Sequence, residues 1–136
     1  MVEKTEIVKS EGDSNQYLMF TLPNKLQVLL IEDNNQKELA QGESIGYVSL
    51  AVNVGSFNDP PDRPGMAHLL EHMIFMGSEK YPEPDGYSNH ISESGGFTNA
   101  YTQLEWTNYH FDINYSGLED ALDMMANNFY SPLLSK

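Results

Sequence analysis

The segment from Gly65 to Gly77, GMAHLLEHMIFMG, places the strongest constraint on how this chain can fold. Its apolar residues occupy nearly every side of a helix, which predicts a helix that is buried almost all round. Pro64 suits the entrance of such a helix, and Gly77 suits its end. Two histidines and a glutamate lie among the apolar residues, and their burial costs free energy unless each has a partner. The sequence therefore predicts a core helix that carries a polar site.

The polar site consists of His68, Glu71 and His72, in the order H-x-x-E-H. Residues four apart on a helix share a face, so the two imidazoles lie together and Glu71 lies beside them. Two imidazoles on adjacent turns can bind one zinc ion, and a neighbouring carboxylate can accept a proton from water. This order is a signature of zinc peptidases. The residues alone leave two alternatives open: a buried hydrogen-bond network in place of the metal, and a salt-bridged carboxylate at Glu71.

Composition narrows the functional classes. The chain has 136 residues, of which 40% are hydrophobic and 20% charged, which fits one globular domain. Its net charge of −13 argues against binding to nucleic acid or to an anionic membrane surface. The absence of cysteine excludes thiolate zinc ligands. The N-terminal sequence lacks the apolar stretch of a secretory signal, and no segment approaches the length of a membrane-spanning helix, so the sequence predicts a cytoplasmic location.

Periodicity and turn residues predict an α+β fold. Residues 1–16 are polar and are expected to form a loose lead-in, and residues 17–136 to form one domain. The predicted strands are 17–22, 26–31, 44–54, 97–102 and 106–114, and the predicted helices are the motif segment, 85–94 and 118–130. Residues 32–43 are expected to be a polar loop, 44–54 a central strand, and Asp85 an N-cap. This order predicts a mostly antiparallel sheet with helices packed on it.

Two longer stretches carry a resemblance to a known family. They are DPPDRPGMAHLLEHMIFMGSEKYP, from Asp59 to Pro82, and SESGGFTNAYTQLEWTNYHFDI, from Ser92 to Ile113. Together they closely resemble the insulinase-type (insulysin/pitrilysin, M16) zinc metallopeptidases, and the resemblance extends over residues 17–136. It implies that the chain is the N-terminal part of the first catalytic domain, and hence an incomplete domain. In this family the unit recurs, and two halves of the full-length chain close around a chamber.

The resemblance also assigns roles at the motif. It implies that His68 and His72 are zinc ligands and that Glu71 is the general base. In the family the third zinc ligand is a glutamate on a later helix, which would fall after Lys136. The resemblance therefore predicts that the 136-residue fragment binds zinc weakly and hydrolyses no peptide. Other glutamates remain candidate ligands in principle, and each is interpreted as a surface charge: Glu79, Glu83, Glu93, Glu105 and Glu119.

A second predicted site is the stretch GFTNAY, from Gly96 to Tyr101. In the family the matching strand is an open sheet edge beside the zinc, to which the substrate adds as an extra strand. The resemblance implies that Asn99 orients the scissile peptide and that Ala100 and Tyr101 supply backbone pairing. From the residues alone, Gly95 and Gly96 form a turn, and Asn99 is an ordinary polar strand residue.

The function implied by the resemblance is a zinc-dependent endopeptidase that cleaves peptides small enough for the closed chamber. The remaining domains of the full-length chain are the implied partners. Two alternatives stay open, a non-catalytic relative that binds peptides or acts as a scaffold, and a peptidase that processes targeting presequences. The intact HLLEH argues against the non-catalytic alternative. The stretches GSEKYP and TNYHFDI look closer to the insulysin branch of the family than to the presequence-processing peptidases. His90 and His110 are interpreted as structural, because they lack metal-ligand spacing.

Overall fold

The computed structural model describes residues 4–5, 7–33 and 44–134. The chain forms two compact units, residues 1–42 and residues 43–136. The predicted polar loop 32–43 lies almost wholly outside the described residues, and Glu32 belongs to a strand. Among the helices of the described ranges, none has both the length and the hydropathy to cross a membrane.

The first unit is a small antiparallel sheet. Its strands are β1 (Lys4–Thr5), β2 (Gln16–Thr21) and β3 (Gln27–Glu32), in the order β1-β2-β3. The predicted hairpin is confirmed, with Tyr17 opposite Ile31. Its turn uses a positive φ of 74° at Lys25. β1 lies within the predicted loose lead-in and pairs with β2, so part of that segment is a strand. The division of the chain at residue 17 stays a prediction.

The second unit contains a three-stranded antiparallel sheet in the order β4-β6-β5. Its strands are β4 (Ile45–Val52), β5 (Phe97–Thr102) and β6 (Thr107–Asn114). The prediction that residues 44–54 form a central strand is wrong for the sheet that the structure describes, because β6 lies in the middle and β4 at one side. Alternating apolar residues in β4 indicate one buried face, and that pattern does not reveal how many neighbours a strand has.

Three helices accompany this sheet. They are α1 (Met66–Ile74), α2 (Gly86–Glu93) and α3 (Leu118–Tyr130), and single 3₁₀ turns occupy Ser56–Asn58 and Tyr115–Gly117. The buried core joins one face of β6 to all three helices. Its members are Ile74, Tyr87, Ile91, Tyr109, Phe111, Ile113, Ala121 and Met125. The α+β prediction is confirmed, since helices pack on an antiparallel sheet.

The burial predicted for the motif helix is wrong. Only Glu71 and Ile74 of α1 are buried, whereas Leu69 is 59% exposed and Leu70 44% exposed. In the part of the chain that the structure describes, α1 packs through one face against β5 and the core. Met66, Leu69 and Leu70 therefore lie at the surface of this unit, although the composition of α1 resembles that of a core helix.

The turn between α2 and β5 depends on two glycines. Gly95 adopts a φ of +73° at the end of α2, a conformation that glycine tolerates best. A Cβ atom at Gly96 would lie 2.0 Å from the carbonyl oxygen of Asp112, so only glycine allows β5 to start this close to β6. Asp85 occupies the N-cap position of α2, but its side chain makes no capping hydrogen bond, so that predicted contact is not formed.

A distant aspartate caps the motif helix. Asp59 Oδ2 accepts a hydrogen bond from the Gly65 N–H at 2.7 Å, and Asp59 Oδ1 accepts one from the Ala67 N–H at 2.8 Å. These donors belong to the first turn of α1, where backbone N–H groups have no partner within the helix. A negative charge at this end is also favoured by the helix dipole. Asp59 thereby fixes the start of the helix that carries His68.

We predict that Asp59→Ala destabilises the first turn of α1 by about 1 kcal/mol, as loss of an N-cap acceptor does. Hydrogen exchange of the α1 amides measures this directly, and exchange near Ala67 should accelerate about fivefold. Asp62→Ala is the matched control, because Asp62 is exposed and its ion pair with Arg63, at 3.7 Å, is exposed as well. Equal exchange in the two variants would contradict the capping role.

Candidate metal centre

The three motif residues lie together on one side of α1. The Nε2 atoms of His68 and His72 are 3.1 Å apart, and the ring centroids are 4.7 Å apart. A carboxylate oxygen of Glu71 and one nitrogen from each ring all lie within 4.8 Å of one another. The four-residue spacing produces this arrangement, since it stacks the two imidazoles on successive turns of the helix.

The imidazole pair fits a zinc ion. With bonds of about 2.0–2.1 Å and a tetrahedral angle, two zinc-bound nitrogens lie about 3.3 Å apart. The observed separation of 3.1 Å is close to that value. Both imidazoles are exposed and line an open cleft, so their nitrogens are accessible. Imidazole is also a preferred zinc ligand in its neutral form.

Glu71 is held differently from the two histidines. It is only 5% exposed, and its Oε2 accepts a hydrogen bond from the hydroxyl of Thr102 on β5 at 2.6 Å. Sequence reasoning ended the β5 site at Tyr101 and missed Thr102. The period of two along a strand was the available signal, because it places Thr102 on the same face as Ala100.

Phe75 lines the cleft beside the motif, and an aromatic cluster packs against it. Tyr109 packs against Phe75 and Phe129, with ring centroids 5.9 Å and 4.8 Å away. Burial, and secondly the negative charge of Glu71, raise the pKa of Tyr109 to about 12. The phenol therefore stays neutral at physiological pH, and it adds no charge beneath the carboxylate.

A cleft of about 440 Å³ connects the three motif residues to β5. Residues from α1, α2 and β5 line it: His68, Glu71, His72, Phe75, Ser88, Thr98, Asn99, Ala100, Tyr101 and Thr102. The structure thus brings every predicted metal, catalytic and substrate-binding residue to one cleft.

β5 is an edge strand in the described part of the sheet, because it pairs with β6 on one side only. Gln103 donates its N–H to the Trp106 carbonyl at 2.8 Å, which makes these residues a hydrogen-bonded pair. Antiparallel ladders alternate, so the backbone groups of Tyr101 point to β6, and those of Ala100 and Thr102 point to the open edge. The Ala100 N–H contacts Asn99 Oδ1 at 2.9 Å.

This alternation changes which residues of β5 could supply the predicted backbone pairing. Ala100 can offer its backbone to an added strand, whereas the backbone of Tyr101 faces β6, and Thr102 takes the next edge position. The Tyr101 side chain packs near Trp106 and His110, at centroid distances of 5.4 Å and 5.9 Å.

The other histidines and the other candidate glutamates lie apart from the candidate metal centre. His90 Nε2 lies 3.1 Å from the Gly117 carbonyl oxygen, and His110 Nδ1 lies 3.0 Å from Asn108 Oδ1. Both contacts support the structural interpretation of these histidines. Within residues 44–134, the only cluster of metal-ligating side chains is the motif itself. It includes none of the five other candidate glutamates: Glu79, Glu83, Glu93, Glu105 and Glu119.

Comparisons with known proteins agree with the fold. A family model described as "Insulinase (Peptidase family M16)" matches residues 37–136. The chain is 51% identical over 130 residues to "Insulin-degrading enzyme-like 1, peroxisomal" of Arabidopsis thaliana. The aligned region covers 96% of this chain and 13% of that protein. It is 40% identical over 130 residues to the insulin-degrading enzyme of Homo sapiens, covering 96% of this chain and 12% of that protein.

A solved structure gives the same result. The crystal structure of pitrilysin matches 99% of this chain and 14% of its own, with a TM-score of 0.87 and 36% sequence identity. The chain therefore spans 12% to 14% of the length of these relatives. Since the family model covers most of the chain and both the sequence and the fold match its members, the chain belongs to the insulinase family of peptidases, M16.

Proposed function

We propose that the native-length protein is a zinc-dependent endopeptidase that hydrolyses peptides bound along β5. The observation that carries this proposal is the pair of exposed imidazole nitrogens 3.1 Å apart, next to a buried carboxylate. The pair suits zinc, and the carboxylate suits proton transfer. Membership of the insulinase peptidase family supports the same chemistry.

Each motif residue then has a separate task. His68 and His72 would hold the ion, and zinc bound there would supply Lewis-acid polarisation of the peptide carbonyl. Glu71 accepts a proton from the attacking water and later delivers it to the leaving amine. Oε2 accepts the Thr102 hydroxyl, which leaves Oε1 available for this proton. Burial raises the pKa of Tyr109 to about 12, so this residue adds no charge near Glu71.

The edge of β5 aligns the substrate. An extended peptide that pairs with this edge accepts the Ala100 N–H through one of its carbonyl groups. Asn99 Oδ1 occupies that N–H in the free protein, so peptide binding releases the Asn99 amide for contact with the substrate. The cleft brings this edge within reach of the motif.

The third protein ligand of the zinc is proposed to come from a part of the native-length protein outside this chain. A catalytic zinc site uses three protein ligands and keeps one position for water or substrate. In the described ranges of this chain, the metal-ligating cluster offers only the two histidines besides Glu71. The intact motif favours an active enzyme over a non-catalytic peptide-binding relative.

The first prediction of the proposed function concerns metal binding. His68→Ala and His72→Ala should each weaken zinc binding in the native-length protein by more than about 100-fold, since loss of even an outer-shell partner costs 10–100-fold. Metal analysis after dialysis against a zinc buffer measures the occupancy. His90→Ala is the control, because His90 contacts a backbone carbonyl away from the motif. Equal zinc in all three variants would refute the ligand assignment.

The second prediction concerns catalysis. The native-length protein should cleave a mixture of unstructured peptides, and a chelator should abolish the cleavage. Glu71→Gln should retain zinc and lose about 100-fold or more in turnover, because general acid–base catalysis typically contributes that much. Glu93→Gln, an exposed glutamate at the end of α2, should cleave normally. Undiminished turnover in Glu71→Gln would exclude Glu71 as the base.

The third prediction concerns the edge strand. Asn99→Ala should lower kcat/KM for peptides about fivefold, the equivalent of one hydrogen bond of about 1 kcal/mol. Asn89→Ala on α2 is a matched control, because Asn89 is exposed and does not line the cleft. Steady-state kinetics on one cleaved peptide are sufficient, and identical kinetics for wild type and Asn99→Ala would count against substrate contact.

A further inference from the structure

We infer that Thr102 is a positioning residue, whose hydroxyl holds the Glu71 carboxylate in the orientation needed for proton transfer. The inference rests on the proposed function, because it assumes that Glu71 is the base. Glu71 and Thr102 are 31 residues apart in the sequence, and the hydroxyl lies 2.6 Å from Oε2. At this distance the contact is a short, charge-assisted hydrogen bond.

The carboxylate needs such a partner. Glu71 is 5% exposed, so solvent reaches it poorly, and an ionised carboxylate in that position requires hydrogen-bond donors. A threonine hydroxyl carries one proton, and Thr102 directs it at Oε2. Rotation of the carboxylate about its terminal torsion would break this bond. The bond therefore selects one orientation from a torsion that is otherwise broad.

Thr102 is itself held by the adjacent strand. It lies directly opposite Thr107, whose side chain is buried and whose hydroxyl donates to the Val54 carbonyl at 2.8 Å. The two threonine hydroxyls are 3.4 Å apart. Non-hydrogen-bonded pairs in antiparallel sheets bring side chains especially close, and this pair is of that kind. The contacts of Thr107 on the neighbouring strand thus help to set the position of the Thr102 hydroxyl.

Thr102 also belongs to the edge that receives the peptide. By the alternation of β5, its backbone groups point to the open edge, and its side chain points to Glu71. Thr102 therefore contacts the base through its side chain and would face a bound peptide through its backbone. A small displacement of β5 would move both together, which keeps the carboxylate in register with the scissile bond.

The test compares Thr102→Val with Thr102→Ser in the native-length protein. Valine keeps the shape and removes the hydroxyl, whereas serine keeps the hydroxyl. We expect Thr102→Val to lower kcat by 10–100-fold, as loss of an outer-shell partner does, with KM changed by less than about twofold and zinc content unchanged. Thr102→Ser should restore kcat to within about threefold of wild type. Equal losses in the two variants, or a loss confined to KM, would overturn the inference.

Crystal structures of the zinc-free variants give a second result that does not depend on activity. In Thr102→Val the Glu71 carboxylate should leave its single orientation, and in Thr102→Ser it should keep the contact to residue 102. An unmoved Glu71 in Thr102→Val would also overturn the inference. If the wild type cleaves no peptide, or Glu71→Gln remains active, the proposed function fails. The orientation of Glu71 in the two zinc-free variants still decides whether Thr102 positions it.

Discussion

The burial of one carboxylate organises the second unit. Glu71 lies on the inner face of a helix whose other side chains are mostly exposed, and it reaches the sheet through a single hydroxyl on β5. A hydrogen bond to a charged group contributes about 1.5–3 kcal/mol, and a buried carboxylate without a partner would lose more than that. The motif helix and the edge strand are therefore joined by the residue that the proposed chemistry uses. The two imidazoles, one turn apart, face the cleft as a consequence of this attachment.

The same attachment explains why the site is open on one side and fixed on the other. Asp59 holds the start of α1, Glu71 holds its middle, and Ile74 joins the core near its end. These contacts leave His68 and His72 accessible while they restrict the movement of the helix. A metal site needs this combination, since the ligands must be fixed before the ion arrives and must be reachable when it does.

Local patterns were sufficient for part of this description. The spacing of His68 and His72 predicted their shared face, and periodicity predicted β5 and α3 with the bounds that the structure gives. Local patterns gave wrong predictions where the structure depends on residues that are far apart in the sequence. The place of β4 in the sheet depends on where β6 pairs, and the exposure of α1 depends on which surfaces cover it. The Thr102–Glu71 bond joins residues 31 apart, so the period of two along β5 predicts the face on which Thr102 lies but not its partner. Only the ladder alternation separates the edge-facing Ala100 from Tyr101.

The central claim is that the two imidazoles hold zinc while Glu71 remains free to move a proton. Anomalous diffraction at the zinc edge, from crystals of the native-length protein, tests it most directly. The account predicts a zinc peak about 2.0–2.1 Å from both Nε2 atoms, with the Glu71 carboxylate still bonded to Thr102. A zinc ion bound by the Glu71 carboxylate, or located away from His68 and His72, would contradict the account.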